Sequence, residues 1–166
     1  MIDIVCFIGE RFELGFSKVH HVNELNIIFG GDENTNKKAL ENKKTDILVS
    51  PERNAKKDNL HFRDSGLNQV LCKIAADNKV AIGFSFSDIL NSKERNVLLG
   101  RMRQNVELCR KYKIKMVLAS FARNKYEQRN PRDLESLARV LGMNEKEIKE
   151  ALNFKKKEIN EVKLIK

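Results

Sequence analysis

Five short apolar runs, at residues 2–8, 25–29, 46–50, 80–86 and 115–120, alternate with segments of helical period, and this alternation constrains the fold more than any other feature. It is the pattern of β-α units feeding a mostly parallel sheet. Runs such as Val80-Ala81-Ile82-Gly83-Phe84 are apolar at consecutive positions, as expected when both faces of a strand are covered. An α/β architecture follows, either a barrel or a helix-covered sheet. The chain has 166 residues, a length that fits a single domain over 1–166. No apolar run approaches the roughly 18 residues of a membrane span, so no membrane partner is expected.

The helices carry clearer punctuation. After Asp64 or Ser65 as cap, Leu67, Val70, Leu71, Ile74 and Ala75 form one apolar stripe. Leu98, Met102, Val106, Cys109 and Tyr112 form another along a long helix over about 93–112, and Asn105 falls on its apolar side, where a buried amide is expected to pin a neighbouring backbone. Asn130 caps a helix with Pro131 at its first position and Gly142 past its end; Asn144 and Glu147 open the next with a capping box. Residues 10–18 and 34–43 are weaker helix candidates. Residues 153–166 read as a basic tail or a last strand.

Charge is unevenly placed. Between Asn91 and Arg132 twelve basic residues face three acidic ones, so this window carries the whole net charge of +9. A field on one helix and the loop after the next strand suits a phosphate backbone, whereas a plain solvated face is the alternative. The loop at 121–130 brings Arg123, Lys125, Tyr126 and Arg129, and the loop at 51–63 brings Arg53, Lys57 and Arg63. Loops at the carboxyl ends of parallel strands share one rim, so the two should be neighbours.

Enzymatic motifs are sparse. His20 and His21 are adjacent and would point apart in a strand, and no His-x-His accompanies Asp3, Asp46 or Asp88. Ser50, Ser85 and Ser120 end strands outside any G-x-S-x-G elbow, and no phosphate-binding glycine motif occurs. Three cysteines without a C-x-x-C pair point to a reducing compartment, and the apolar N-terminus reads as a strand, not a signal peptide, so a cytoplasmic location is expected.

The ordered set Asp46-Ile47-Leu48-Val49-Ser50-Pro51, Gly66-Leu67-Asn68-Gln69-Val70-Leu71, Val80-Ala81-Ile82-Gly83-Phe84-Ser85, Arg101-Met102-Arg103-Gln104-Asn105-Val106 and Asn130-Pro131-Arg132-Asp133-Leu134 resembles the archaeal ribonuclease P protein component 3 family over about 46–152. The resemblance implies a TIM-barrel-like β/α barrel related to the polymerase-and-histidinol-phosphatase (PHP) enzymes without their metal ligands. It implies a noncatalytic subunit that stabilises the RNA cleaving pre-tRNA at its mature 5′ end, with no protein-bound cofactor and Mg2+ required by the RNA. Its implied partners are ribonuclease P RNA, the ferredoxin-like component 2 and other subunits. Before Asp46 the chain is short and departs from the pattern, which leaves completion of the barrel open.

The candidate RNA-binding residues are Arg53, Lys57, Arg63, Arg101, Arg103, Arg123, Arg129 and Arg132, acting by charge neutralisation and bidentate phosphate contact. Leu99, beside the apolar stripe of the long helix, is the candidate partner contact. Two other classes stay open at this point: a metal-dependent phosphoesterase of the PHP barrel class, and a general RNA-binding module.

Overall fold

A computed structural model describes residues 1–54, 56–59 and 63–155. Its strands are β1 (Ile2–Val5), β2 (Lys18–His21), β3 (Ile27–Phe29), β4 (Ile47–Val49), β5 (Ala81–Ser85) and β6 (Met116–Ala119), all paired in parallel. Strands β3-β4-β5-β6 form one sheet and β1-β2 another. Just beyond β6 the two sheets meet: Val5 bridges Ala122, the Cys6 N–H donates to the Ala122 carbonyl at 2.8 Å, and the Phe121 N–H donates to that of Ile4 at 2.8 Å. The strands thus follow chain order around a cylinder that stays open between β2 and β3, where the described residues show no strand pairing. This is an incomplete TIM-barrel-like arrangement.

Burial explains the unalternating apolar runs. Leu48, Ile82, Phe84 and Leu118 face outward into a core shared with the helices, whereas Ile47, Val49, Ala81, Val117 and Ala119 face inward with Ile4 and Phe121. Each such side chain, once buried, contributes about 1.5–3 kcal/mol if it is a full Val, Leu, Ile or Phe. The interior is narrow: a Cβ on Gly83 would stand 2.9 Å from Cγ2 of both Ile47 and Val49. Buried Asp3 joins β1 to β6, accepting from the Ser120 N–H at 2.7 Å and from its hydroxyl at 2.7 Å.

The covering helices are α1 (Glu33–Glu41), α2 (Gln69–Asp77), α3 (Phe86–Asn91), α4 (Arg95–Tyr112), α5 (Pro131–Val140) and α6 (Glu145–Ala151). Where the caps are explicit, the boundaries follow them. The Asn130 side chain accepts from the Asp133 N–H, Gly142 takes φ +84°, and Asn144 with Glu147 closes a capping box.

Two expectations are corrected and one strand is added. The segment 10–18 is not helical: Gly9 at φ +134° and Gly15 at φ +86° interrupt an irregular loop that leads into β2. The second strand went unread because its Lys-Val-His-His sequence has one aliphatic residue and it pairs on one side, with β1. The cap of α2 is Asn68, not Asp64 or Ser65, because Gly66 at φ +74° turns the chain first; Val70, placed on the buried stripe, is 65% exposed, and Cys72 takes its place. The tail expectation concerns residues that, from 156 onward, lie outside the described ones.

Candidate nucleic-acid interface

Parallel pairing puts every strand's carboxyl end on one rim, and there the loops after β4 and β6 converge. Arg123 Nη2 donates to Asp88 Oδ1 at 2.7 Å, and Arg53 Nη1 lies 3.4 Å from the same oxygen. The Ser50 hydroxyl donates to Asp88 Oδ2 at 2.6 Å. The Asp88 side chain is 5% exposed while the two arginine side chains are nearly half exposed, so one buried carboxylate holds two arginines at the surface. Ser50 (φ 54°) and Phe121 (φ 45°) hold left-handed backbone at this rim, strain that the Asp88 bond and the Ile4 carbonyl contact offset.

Arg129, from the same loop, donates through Nη1 to the Tyr126 carbonyl at 3.0 Å and lies over the Phe86 ring at 5.1 Å. Its chemistry goes partly into shaping the loop. Next to the arginine pair lies a cavity of about 300 Å3 lined by Glu52, Arg53, Asp88, Leu98, Arg101 and Arg123.

Arg101 has a role other than the one its sequence context suggests. It is buried, and its guanidinium donates to Asp58 Oδ1 at 2.7 Å, to the Glu52 and Asn54 carbonyls at 3.2 Å, and to the Lys56 carbonyl. All three of its nitrogens are engaged in clamping the loop after β4, which leaves no fork for a phosphate. A signal was present: Leu98, Arg101 and Asn105 are spaced by three and four residues and so share one helical face. Asn105 does pin a backbone as expected, donating to the Ser65 carbonyl at 3.0 Å and to Glu52 Oε2 at 3.1 Å.

Glu52 is the most perturbed carboxyl of this region. Burial pushes its pKa up to about 8, with the Asp88 charge adding to the rise and the hydrogen bond from Asn105 opposing it. Its Oε1 has no hydrogen-bond partner among the described residues, which suits a protonated, neutral group. Nothing in the sequence marked this glutamate.

The remaining candidates are scattered. Arg63 and Arg103 flank a cleft of about 430 Å3 that also contains Leu99, Gln104, Glu107 and Val140. Leu99 is half-buried against the main core, and Val140 beside it is 62% exposed. Lys57 and Arg132 are exposed. Elsewhere in the basic window, Arg110 forms a bidentate pair with Glu147 at 2.7 Å and Arg95 donates to the Ile89 and Leu90 carbonyls, so part of that charge serves helix packing.

Other chemistry finds little footing. Among the described residues no group of three His, Cys, Asp or Glu is arranged to hold a metal ion. His20 binds Glu24 at 2.6 Å and His21 caps the following turn. Ser50, Ser85 and Ser120 bond to Asp88, to the α3 backbone and to Asp3 respectively. Burial raises the Cys6 and Cys72 thiols to about 11, away from thiolate reactivity. Among the described residues no helix is long and apolar enough to cross a membrane.

Fold and rim together define a protein of the β/α-barrel class that presents oriented cations at the strand ends where barrel enzymes carry their chemistry. Within that class the chain belongs to the family of the RNase P subunit p30, whose model matches residues 12–162. It is 42% identical over 129 residues to ribonuclease P protein component 3 of Methanosarcina acetivorans, a match covering 76% of this chain and 51% of the relative. It is 38% identical over 139 residues to the protein of that name from Thermococcus gammatolerans, covering 82% and 61%. The chain thus spans about half to three-fifths of the length of these relatives. A chain from the cryo-EM structure of archaeal ribonuclease P with mature tRNA superimposes with a TM-score of 0.71 at 25% identity, over 91% of this chain and 86% of that one.

Proposed function

We propose that this chain is a noncatalytic protein subunit of ribonuclease P, binding and stabilising the RNA that cleaves pre-tRNA to give mature 5′ ends. The observation that carries it is the meeting of Arg53 and Arg123, from two separate loops, on the buried carboxylate of Asp88. A guanidinium held by one edge keeps its other donors for phosphate, and the held geometry lowers the entropy lost on contact. Arg129, Arg63, Arg103, Lys57 and Arg132 extend the positive field, whereas Arg101 supports it through the loop. The protein itself holds no cofactor; Mg2+ serves the RNA.

The subunit works in the cytoplasm, with component 2 docked at the Leu99–Val140 cleft. Support for that surface is the exposed apolar edge of Val140 beside half-buried Leu99.

The test is reconstitution. Added to ribonuclease P RNA and the other subunits, the protein raises pre-tRNA cleavage at a fixed magnesium concentration, and Arg53→Ala with Arg123→Ala lowers RNA affinity and flattens its dependence on salt by roughly 0.7–0.9 per lost phosphate contact. Metal-dependent cleavage of pre-tRNA by the RNA-free protein would overturn the proposal, as would equal binding of unrelated RNAs.

A further inference from the structure

Aromatic side chains exposed side by side are unusual on a folded surface, and the loops after β1 and β6 present such a pair. Tyr126 is 73% exposed and Phe12 45% exposed, and their rings meet edge-to-face at 6.2 Å. The backbone beneath both rings is tied down. The Phe12 N–H donates to the side-chain oxygen of buried Gln128 at 3.1 Å, the Tyr126 N–H donates to Asn124 Oδ1 at 3.0 Å, and Arg129 holds the Tyr126 carbonyl. Lys125 Nζ lies 5.5 Å from the Tyr126 centroid and 5.7 Å from that of Phe12. Arg123, three residues before Tyr126, belongs to the same loop, and its backbone N–H donates to Glu127 Oε2 at 2.9 Å.

Rings on an anchored backbone, bordered by cations, suit an unpaired nucleotide: the base offers a flat apolar face and its phosphates offer charge. A duplex covers those base faces by stacking and cannot use the rings in the same way. We propose that Phe12 and Tyr126 form a stacking shelf for an unpaired RNA base, with Lys125 and Arg123 taking its flanking phosphates. This rests on the RNA-binding reading above and adds the strand state that the rim selects. Glu10, which pairs with Lys125 at 3.1 Å, is 84% exposed at its side chain, so a phosphate exchanges with it at little cost.

The chain has no Trp, so Tyr126→Trp creates a sole indole emitter at the shelf. Short oligoadenylate should quench that emission on binding, and a blunt RNA duplex bound to the same variant should not. Tyr126→Ala and Phe12→Ala should each weaken oligoadenylate binding about tenfold, leaving duplex affinity and the salt slope at wild-type values. Both changes lie at exposed positions, and an unaltered circular dichroism spectrum verifies the fold. Unquenched emission with oligoadenylate shown bound by mobility shift overturns the shelf while sparing the RNA reading; so does equal loss for both RNAs, or no loss for either. Failure of the wild-type protein to bind any RNA removes the RNA reading and the shelf with it.

Discussion

Arg101→Ala separates a structural arginine from an RNA-contacting one. The side chain is 7% exposed, and its removal takes the nearer of two arginines from Asp58, leaving Arg63 at 3.9 Å, and the donor from the carbonyls of Glu52, Asn54 and Lys56. Breaking a buried charge pair on one side costs about 3–5 kcal/mol. Asp58 is 22% exposed and regains some water, which places the loss near the lower end, at about 3 kcal/mol. With a urea dependence of roughly 2 kcal/mol per molar, the unfolding midpoint read by circular dichroism falls by about 1.5 M. Arg101→Lys restores the charge but not the fork that reaches several carbonyls, and it recovers less than half of the loss. The salt slope of RNA binding by the folded variant stays at the wild-type value. A midpoint shift below about 0.5 M, or a salt slope flattened as much as by Arg123→Ala, would refute this assignment.

Further outcomes follow from the same geometry. Because the pKa of Glu52 is raised from 4.5 to about 8, the folded protein holds this proton more tightly than the unfolded chain, so stability falls as pH rises from about 4.5 to 8. Glu52→Gln removes that decline, by up to about 1.4 kcal/mol per pH unit within the window; urea midpoints across the range that run parallel in both proteins would show Glu52 to be ionised at neutral pH. Asp3, whose pKa burial also raises, adds a fall of the same sign that begins near pH 3.8, and Asp3→Asn should remove it from the same titration. Gly66→Ala sets a Cβ 1.9 Å from the Pro51 carbonyl oxygen at a φ of +74°, and thermal unfolding should register a loss of at least about 2 kcal/mol; a near-neutral result means that the turn at 65–67 rebuilds. Leu99→Glu should abolish co-elution with component 2 while the melting temperature stays near wild type, whereas loss of folding assigns Leu99 to the core.

Local chemistry left its mark on the sequence wherever a feature answers to a few neighbouring residues. Asn130 with Pro131, and Asn144 with Glu147, set helix starts because the bonds they make close within one turn. Apolar runs such as 80–84 declared strands buried on both faces because transfer from water acts on each side chain wherever its partner lies. The ordered stretches from Asp46 onward carried the family resemblance for the same reason, being contiguous in the chain. Tertiary structure alone decided what depends on residues far apart. Arg101 and Arg123 are both arginines in the same basic window, yet one closes on carbonyls from a loop more than forty residues away and the other stays at the rim. The Glu52 carboxyl is pushed up because α4 and the loop after β4 enclose it. Strand β2 exists because β1 offers it an edge, a stabilisation its own polar sequence does not announce. Among the described residues no pairing joins β2 to β3, on the same ground: hydrogen bonding between strands is a property of the pair, and neither strand's sequence contains the other.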